Sequence, residues 1–162
     1  MLTYMATIGD LENAGKLIGH DADLESHEFP TRWIHLAPQA LAWLTTVLPS
    51  ESADGGRKIS PYEQVEQIFY EYVIGRPMAY ARDRKKLNPV GYHVWEFKTP
   101  DARLFGWLPK RRHFIVVCGQ MKRHLTNNKD YAPYVEKVVH FRSTLDLDEP
   151  KFLTGVLPND IC

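Results

Sequence analysis

The positively charged residues of this 162-residue chain are concentrated in one block, residues 76–129, which holds 13 Lys and Arg against 3 Asp and Glu. Its net charge of +10 is offset by −7 in residues 1–75 and −3 in residues 130–162, so the whole chain is neutral. Clustered Lys and Arg attract polyanions such as nucleic-acid phosphates. The block therefore indicates a polyanion-binding surface, and the alternative is a solvated face that balances acidic helices elsewhere.

Within this block, His124 follows two adjacent cations, Lys122 and Arg123. Cleavage of a phosphodiester without a metal requires cations directed at the transferring phosphate and a group that moves protons. The planar fork of an arginine can bind two phosphate oxygens, and imidazole titrates near neutral pH. The basic run therefore indicates phosphate chemistry, and the alternative is a solvated turn with an exposed histidine.

The histidines and cysteines lack the spacing of a metal site. His20, His27 and His35 are seven and eight residues apart, whereas two ligands on one helix face need a spacing of three or four. His113 and Cys118 are five apart on a predicted strand, which places them on opposite faces. Two cysteines make neither a disulfide framework nor a zinc quartet. We expect no metal and no cofactor.

The composition is that of a globular domain, with 44% hydrophobic and 25% charged residues. The longest strongly apolar run, 114–118, is far shorter than the roughly 20 residues that cross a bilayer. The first residues lack the basic and then apolar pattern of a signal peptide. We therefore expect a cytoplasmic protein that does not enter a membrane.

Hydrophobic periodicity predicts an ordered series of elements. The series is a strand over 31–36, a helix over 38–48, a helix over 61–74, strands over 92–98, 103–108 and 113–118, and a helix over 131–142. Helices and strands that are separated along the chain favour an α+β fold. We expect two helices packed on a small curved antiparallel sheet, with a further C-terminal helix.

The two ends of the chain are predicted to lie outside this domain, which we place at 31–145. Residues 1–30 read as an acidic N-terminal extension with a short helix over 10–17 capped by Asp10, and 146–162 as a coil tail. Six carboxylates and one lysine lie between Asp10 and Glu28, a net charge of −5. We therefore hypothesise that this segment folds back over the basic sheet and shields it.

Three strings in the predicted strands carry a resemblance to a known family. They are Val94-Trp-Glu-Phe-Lys98, Ala102-Arg103-Leu-Phe105, and Phe114-Ile-Val-Val-Cys-Gly119 followed by Lys122-Arg123. Together with the order of elements, they resemble the RelE/ParE toxin superfamily, and most closely its HigB-like, phage-derived branch. The likeness covers roughly residues 31–142, and its specific strings lie within 94–123.

The resemblance implies a microbial toxin whose basic, concave sheet face binds RNA. Enzymatic members of the family cleave mRNA without a metal, often on the ribosome. The ribose 2′-hydroxyl attacks the adjacent phosphate and leaves a 2′,3′-cyclic phosphate and a 5′-hydroxyl. Such proteins pair with an antitoxin protein that covers the basic face, so the resemblance implies two partners, an antitoxin and mRNA.

The resemblance also implies roles for individual residues. Arg103 matches the catalytic arginine in the middle of the sheet, and Lys98 matches a basic residue at the end of the preceding strand. A tyrosine near the start of the last helix lies at the phosphate in several members; Tyr131 suits this role better, because Tyr134 falls on the inward stripe. The predicted catalytic residues are Arg103, Lys122, His124 and Tyr131, and the predicted RNA-binding residues are Lys98, Lys110, Arg111, Arg112 and Arg123.

Two departures from the family pattern leave the function open. Val94 and Glu96 stand where some RNA-cleaving members have two lysines, and Cys118 stands where the phage-derived branch has histidine. Glu96 can act as a general base, although its charge repels phosphate. Three functions remain: a metal-free endoribonuclease toxin, a non-enzymatic inhibitor of the gyrase-directed type, and a phage-derived binding protein that has lost catalysis.

Overall fold

A six-stranded mixed sheet forms the centre of the molecule in the computed structural model, which describes residues 6–155. The strands are β1 (Ile18–Gly19), β2 (Trp33–Leu36), β3 (Arg84–Lys86), β4 (Trp95–Lys98), β5 (Ala102–Lys110) and β6 (His113–Met121). They lie in the order β1-β2-β6-β5-β4-β3. Neighbouring strands are antiparallel except β2 and β6, which are parallel.

Within residues 6–155, four α-helices pack on the two faces of the sheet, and three of them begin at a capping box that the sequence encodes. They are α1 (Ile8–Asn13), α2 (Pro38–Ala42), α3 (Pro61–Val73) and α4 (Asn128–Thr144). Thr7, Ser60 and Asn127 cap α1, α3 and α4, each paired with an acidic residue three positions later. These reciprocal bonds satisfy backbone N–H groups that have no partner within the helix. After α2 the chain continues through a π-helical turn, Trp43–Val47.

Both faces of the central strands are buried because each is covered by helices. One face packs Phe97, Leu104 and Phe114 against α2 and α3, and the other packs Phe105 and Trp107 against α1 and α4. Alternate residues of β5 point to opposite cores, as strand geometry requires. This double coverage explains why β5 and β6 are nearly continuous in apolar residues.

The α+β prediction is confirmed, and the antiparallel β4-β5-β6 meander is present. The expectation of a wholly antiparallel sheet is wrong at one pair, since β2 runs parallel to β6. A long connection through α2 and α3 separates β2 from the meander, so its direction is not restricted as a hairpin's would be. No helix within residues 6–155 has the length and apolar composition needed to cross a bilayer.

The N-terminal segment contributes a helix and an edge strand to the fold. Its helix begins at Ile8 rather than Asp10, because Thr7 is the cap and Asp10 is the third helical residue. Leu11 and Leu17 are buried in the core that also contains α4, and β1 pairs with β2. Residues 1–5 and 156–162, parts of the predicted extension and tail, lie outside the described residues.

Strand β6 contains an irregularity that changes which side chains share a face. Phe105 pairs with Cys118 and Gly106 with Val116, so Val117 is an extra residue in β6. Val117 and Cys118 consequently both belong to the core beneath α4. The prediction that His113 and Cys118 lie on opposite faces assumed that side chains alternate strictly along the strand. The extra residue, Val117, interrupts that alternation between them.

The glycine in the third family-like string has a packing reason. A Cβ at Gly119 would lie 2.5 Å from the Trp43 ring, closer than any side-chain contact permits. The indole of the π-helical turn therefore rests directly on the β6 backbone. Position 119 therefore requires glycine, because a side chain there would prevent this close approach of helix and sheet.

Candidate functional site

Charged side chains meet at one end of the sheet, on the face that α4 covers. Lys98 of β4 pairs with Arg103 of β5, and Glu96 pairs with Lys85 of β3 on one side and Phe105 on the other. Because paired residues on adjacent strands share a face, these side chains lie together. All four charged residues lie within the block 76–129, and three of them are cations that surround a single carboxylate, Glu96.

Glu96 and Arg103 form a buried ion pair whose facing atoms are not hydrogen-bonded. Arg103 Nε lies 3.9 Å from Glu96 Oε2, and both atoms are buried without a hydrogen-bond partner. Arg103 Nη1 instead donates to the carbonyls of Thr99, at 2.6 Å, and Ala102, at 2.9 Å. An unsatisfied buried polar atom costs about 1–3 kcal/mol. Arg84 and Trp95 each bury one as well. Within residues 6–155, Glu96 and Arg103 are the pair in which two such atoms of opposite charge face each other. The pair is therefore a candidate for chemistry.

The electrostatics of this cluster perturb both Glu96 and Lys98. Burial raises the pKa of Glu96, and Arg103, Lys98 and Lys85 only partly oppose the shift. Burial also lowers the pKa of Lys98, with Arg103, Lys85 and Lys122 acting in the same direction. The carboxyl group and the cations are therefore close enough to interact, and the carboxyl group is shifted towards the range of a general base.

Tyr131 of α4 completes the first of two cavities at this end of the sheet. The cavity has a volume of about 290 Å³ and is lined by Lys85, Leu87, Asn88, Pro89, Glu96, Lys98, Asn128 and Tyr131. Burial, reinforced by Glu96, raises the pKa of Tyr131, so its phenol remains a proton donor at neutral pH. Tyr134 differs, because its hydroxyl accepts a hydrogen bond from Gln120 at 2.7 Å and its ring stacks on Phe105.

A second, more open cavity adjoins the first and shares Lys98 with it. It has a volume of about 400 Å³ and is lined by Arg57, Arg82, Asp83, Lys98, Thr99, Pro100, Arg103 and Lys122. Lys98 Nζ donates to the Ala81 carbonyl at 2.9 Å, which holds this side chain at the boundary of the two cavities. Lys122 is exposed at the rim. The two cavities together form a groove lined by cations with Glu96 and Arg103 at its floor.

Four of the nine predicted site residues thus lie around this groove: Lys98, Arg103, Lys122 and Tyr131. His124 is exposed in the turn after β6 and lines neither cavity. Arg123 pairs with Glu51 and lies 3.9 Å from Asp54, so its charge is neutralised by the loop before α3. Adjacent residues of this turn therefore diverge, with Lys122 facing the groove and Arg123 facing the loop.

Lys110, Arg111 and Arg112 lie at the other end of the sheet, in the β5–β6 hairpin. Lys110 lies seven positions after Arg103 along β5, which corresponds to about 23 Å of extended strand. The hairpin cations are all exposed. They are therefore not part of the groove. The prediction failed because proximity to a strand in the sequence does not show at which end of the strand a residue lies.

The acidic segment 10–28 does not shield the groove, contrary to our hypothesis. Glu12 contacts His35 of β2, Glu28 accepts a hydrogen bond from Tyr70 of α3, and Glu25 pairs with His27. None of its carboxylates within residues 6–155 forms an ion pair with a cation of the block 76–129. The segment leads into β1, at the opposite edge of the sheet from β3.

Lys85 and Asn128 are groove residues that the sequence did not single out. Lys85 lies in a three-residue charged strand, which is too short and too polar to be recognised from periodicity. Its neighbour Lys86 is buried and donates to the Thr154 carbonyl at 3.1 Å. The alternation of burial along Arg84, Lys85 and Lys86 is visible only in the folded structure, so the sequence carried no signal for this strand.

The described residues contain no group of three or more His, Cys, Asp and Glu side chains arranged to hold a metal ion. The Cys118 thiol is buried against the α4 core, and burial raises its pKa to about 12. It is therefore a thiol at neutral pH and a poor nucleophile or metal ligand. The chemistry of the groove comes from its carboxyl, guanidinium, ammonium and phenol groups.

Comparison with family models, with curated proteins and with solved structures found no match to this chain. The resemblance to the RelE/ParE superfamily therefore remains a prediction from the three strings and the order of elements.

Proposed function

We propose that this chain is the toxin of a toxin–antitoxin module and cleaves mRNA in the groove without a metal. The observation that carries the proposal is the buried Glu96–Arg103 pair, whose facing atoms are unsatisfied at the floor of a cation-lined groove. Titratable groups whose pKa is shifted by burial and charged neighbours in a cleft are candidates for catalytic sites. Lys85, Lys98 and Lys122 provide the positive charge that an RNA backbone requires.

In the proposed reaction, the ribose 2′-oxygen attacks the adjacent phosphorus and the bond from phosphorus to the 5′-oxygen breaks. Glu96 accepts the proton of the 2′-hydroxyl, a role favoured by its raised pKa. Arg103 and Lys98 stabilise the negative charge that develops on the phosphate oxygens. Tyr131, which remains protonated, donates a proton to the leaving 5′-oxygen. The products are a 2′,3′-cyclic phosphate and a 5′-hydroxyl.

The same groove is the surface that an antitoxin would cover. A partner segment with carboxylates opposite Lys85, Lys98 and Lys122 would neutralise the groove and exclude RNA. We propose that both partners act in the cytoplasm, with mRNA bound free or on the ribosome.

The test is induction of the chain in a bacterial host, with growth followed and RNA 5′ ends mapped. We expect growth arrest and new 5′-hydroxyl ends from the wild type, and at least a tenfold loss of these ends in Lys122→Ala. Lys129→Ala removes an exposed lysine that lines neither cavity, and it should behave as the wild type. Equal loss in both variants would refute a role for the groove.

One observation favours a non-catalytic alternative. Only 6% of Arg103 is exposed, and two backbone carbonyls hold its guanidinium, which limits its access to a phosphate. On that interpretation the chain is a gyrase-type inhibitor, or a phage-derived binding protein that has lost catalysis. Growth arrest without new RNA ends would support the inhibitor, and soluble expression without arrest would support the binding protein.

A further inference from the structure

A hydrogen-bonded chain of three side chains lies away from the groove and crosses from α1 to β6. His35 Nδ1 is 2.5 Å from Glu12 Oε1, and His35 Nε2 is 2.8 Å from His113 Nδ1. The two imidazole planes are within 7° of parallel. His35 is buried, whereas His113 is only partly covered. The chain therefore connects a carboxylate on α1 to an imidazole near the surface.

The direction of the hydrogen bonds fixes which nitrogen of each ring carries a proton. The Glu12 carboxylate can only accept, so His35 Nδ1 donates to it and His35 Nε2 keeps a lone pair. His113 Nδ1 must then donate to His35, which leaves the lone pair of His113 on Nε2. Burial lowers the pKa of both imidazoles, in His113 to about 4, so the neutral forms persist at physiological pH. His113 Nε2 is thus a prepared hydrogen-bond acceptor.

An exposed tryptophan stands beside this acceptor. Trp33 pairs with His113 across β2 and β6, and its ring centroid lies 5.0 Å from that of His113 with an interplanar angle of 17°. Trp33 is 41% exposed, whereas Trp95 and Trp107 are buried in the two cores. An exposed indole next to a positively charged surface is a typical stacking platform for a nucleobase.

The positive charge comes from the β5–β6 hairpin. Arg111 and Arg112 are exposed and form no ion pair within residues 6–155, in contrast to Arg57 and Arg82, which pair with carboxylates. Arg112 also has a φ of 67°, a left-handed conformation that costs a non-glycine residue about 1–2 kcal/mol.

Lys110, which pairs with His113 across the hairpin, has two carboxylates near it. Asp148 and Glu149 border a groove of about 260 Å³ together with Lys110. Their charges offset that of Lys110. Arg111 and Arg112 do not line that groove, so we assign the phosphate-binding charge of the hairpin to them.

We propose that this end of the sheet binds a ribonucleotide, either free or within an RNA strand. The base stacks on Trp33, the phosphate binds Arg111 and Arg112, and His113 Nε2 accepts a hydrogen bond from the ribose 2′-hydroxyl. Glu12 and His35 are positioning residues that hold His113 in the accepting tautomer. The site is separate from the groove and does not rest on the function proposed there.

The test is titration of the full chain with hexauridylate, hexadeoxyuridylate and uridine 5′-monophosphate, followed by tryptophan fluorescence. We expect saturable quenching that Trp33→Phe reduces, and binding of the ribose hexamer roughly two- to tenfold tighter than the deoxyribose hexamer, the contribution of one neutral hydrogen bond. Equal binding of uridine 5′-monophosphate and hexauridylate would identify a free nucleotide as the ligand, and preference for the hexamer would identify RNA.

Variants separate the parts of the site from general charge effects. Arg111→Ala/Arg112→Ala should weaken all three ligands by at least tenfold, more than Lys58→Ala/Lys129→Ala, which removes two exposed lysines elsewhere. Glu12→Met, which removes the acceptor for the His35 Nδ1 proton, should abolish the ribose preference and leave binding of the deoxyribose hexamer unchanged, which also shows that the variant is folded.

Several results would overturn the proposal. They are absence of saturable quenching, equal loss in the two double variants, and equal affinity of the wild type for the ribose and deoxyribose hexamers.

Discussion

The two ends of the β5–β6 hairpin use positive charge in opposite ways. In the groove, cations surround one buried carboxyl group, and Arg103 is largely enclosed by protein atoms. At the hairpin turn, Arg111 and Arg112 are exposed. The hydrogen-bonded chain from Glu12 through His35 ends there in the neutral imidazole of His113. The first arrangement raises the pKa of Glu96 and lowers that of Lys98, which suits proton transfer. The second leaves two arginines exposed to solvent, which suits binding. Local burial, rather than the count of cations, distinguishes a candidate catalytic site from a binding surface.

The largest expected effect comes from removing one member of the buried pair. Arg103→Met leaves the Glu96 carboxylate without a counter-charge in the core, and we expect a loss of about 3–5 kcal/mol in the free energy of unfolding. The double variant Glu96→Leu/Arg103→Met removes both charges and should lose much less. Urea denaturation of the two single variants and the double variant measures the coupling. Additive losses would contradict a buried, interacting pair.

The next effect concerns pH and the imidazoles of the hairpin end. The pKa of His113 is lowered to about 4 in the folded state, whereas an unfolded histidine has its ordinary value of 6.5. The unfolded chain therefore binds more protons, and stability present above pH 6.5 is lost as the pH falls towards 4.

After allowance for the partial exposure of His113, we expect its contribution to fall by about 1 kcal/mol between pH 7 and pH 5. Urea denaturation at the two pH values measures the loss. His113→Asn should reduce the pH dependence, whereas His27→Asn, at an exposed position, should preserve it. The same slope in the wild type and His113→Asn would show that other groups are responsible.

A comparable loss is expected from the helix that brings Tyr131 to the groove. Asn127 accepts hydrogen bonds from the backbone of Lys129 and Asp130 at the start of α4. Asn127→Ala should therefore destabilise the fold by about 1 kcal/mol, whereas Asn127→Asp, which also caps, should be nearly neutral. Thermal denaturation distinguishes them. Equal stability of Asn127→Ala and the wild type would show that the cap contributes nothing.

The smallest effect sharpens the contrast between stability and binding at the hairpin. Arg112→Gly relieves a left-handed conformation but increases the freedom of the unfolded chain, so we expect a net gain of about 0.5 kcal/mol in stability. The same variant should weaken ribonucleotide binding. Unfolding measurements and the fluorescence titration test the two parts separately. A variant that is less stable and binds as tightly as the wild type would contradict both.

Local signals in the sequence predicted the elements but not their arrangement. The capping box at Ser60 and the apolar periodicity after it predicted α3, and the alternation around Trp95 and Phe97 predicted β4. Strands β1 and β3 were missed because two or three residues carry no measurable periodicity. The parallel placement of β2 depends on a long connection, which local patterns do not encode.

In the candidate sites, too, local signals predicted neighbours along the chain but not contacts that depend on the tertiary fold. Strand spacing and the family resemblance placed Lys98 and Arg103 together, because they lie on one hairpin. The chain from Glu12 through His35 to His113 joins residues 23 and 78 positions apart, and a contact of that kind follows from the tertiary fold alone. The burial that raises the pKa of Glu96 likewise depends on the packing of α4 over the sheet.

The most direct test of the central claim is the count of 5′-hydroxyl RNA ends in cells that express the wild type or Glu96→Gln at equal levels. Glutamine keeps the size of the side chain but cannot accept the proton of the 2′-hydroxyl. The proposed mechanism predicts abundant new ends with the wild type and a loss of at least a hundredfold with Glu96→Gln. Equal numbers of ends from the two proteins would contradict a catalytic role for the buried carboxyl group.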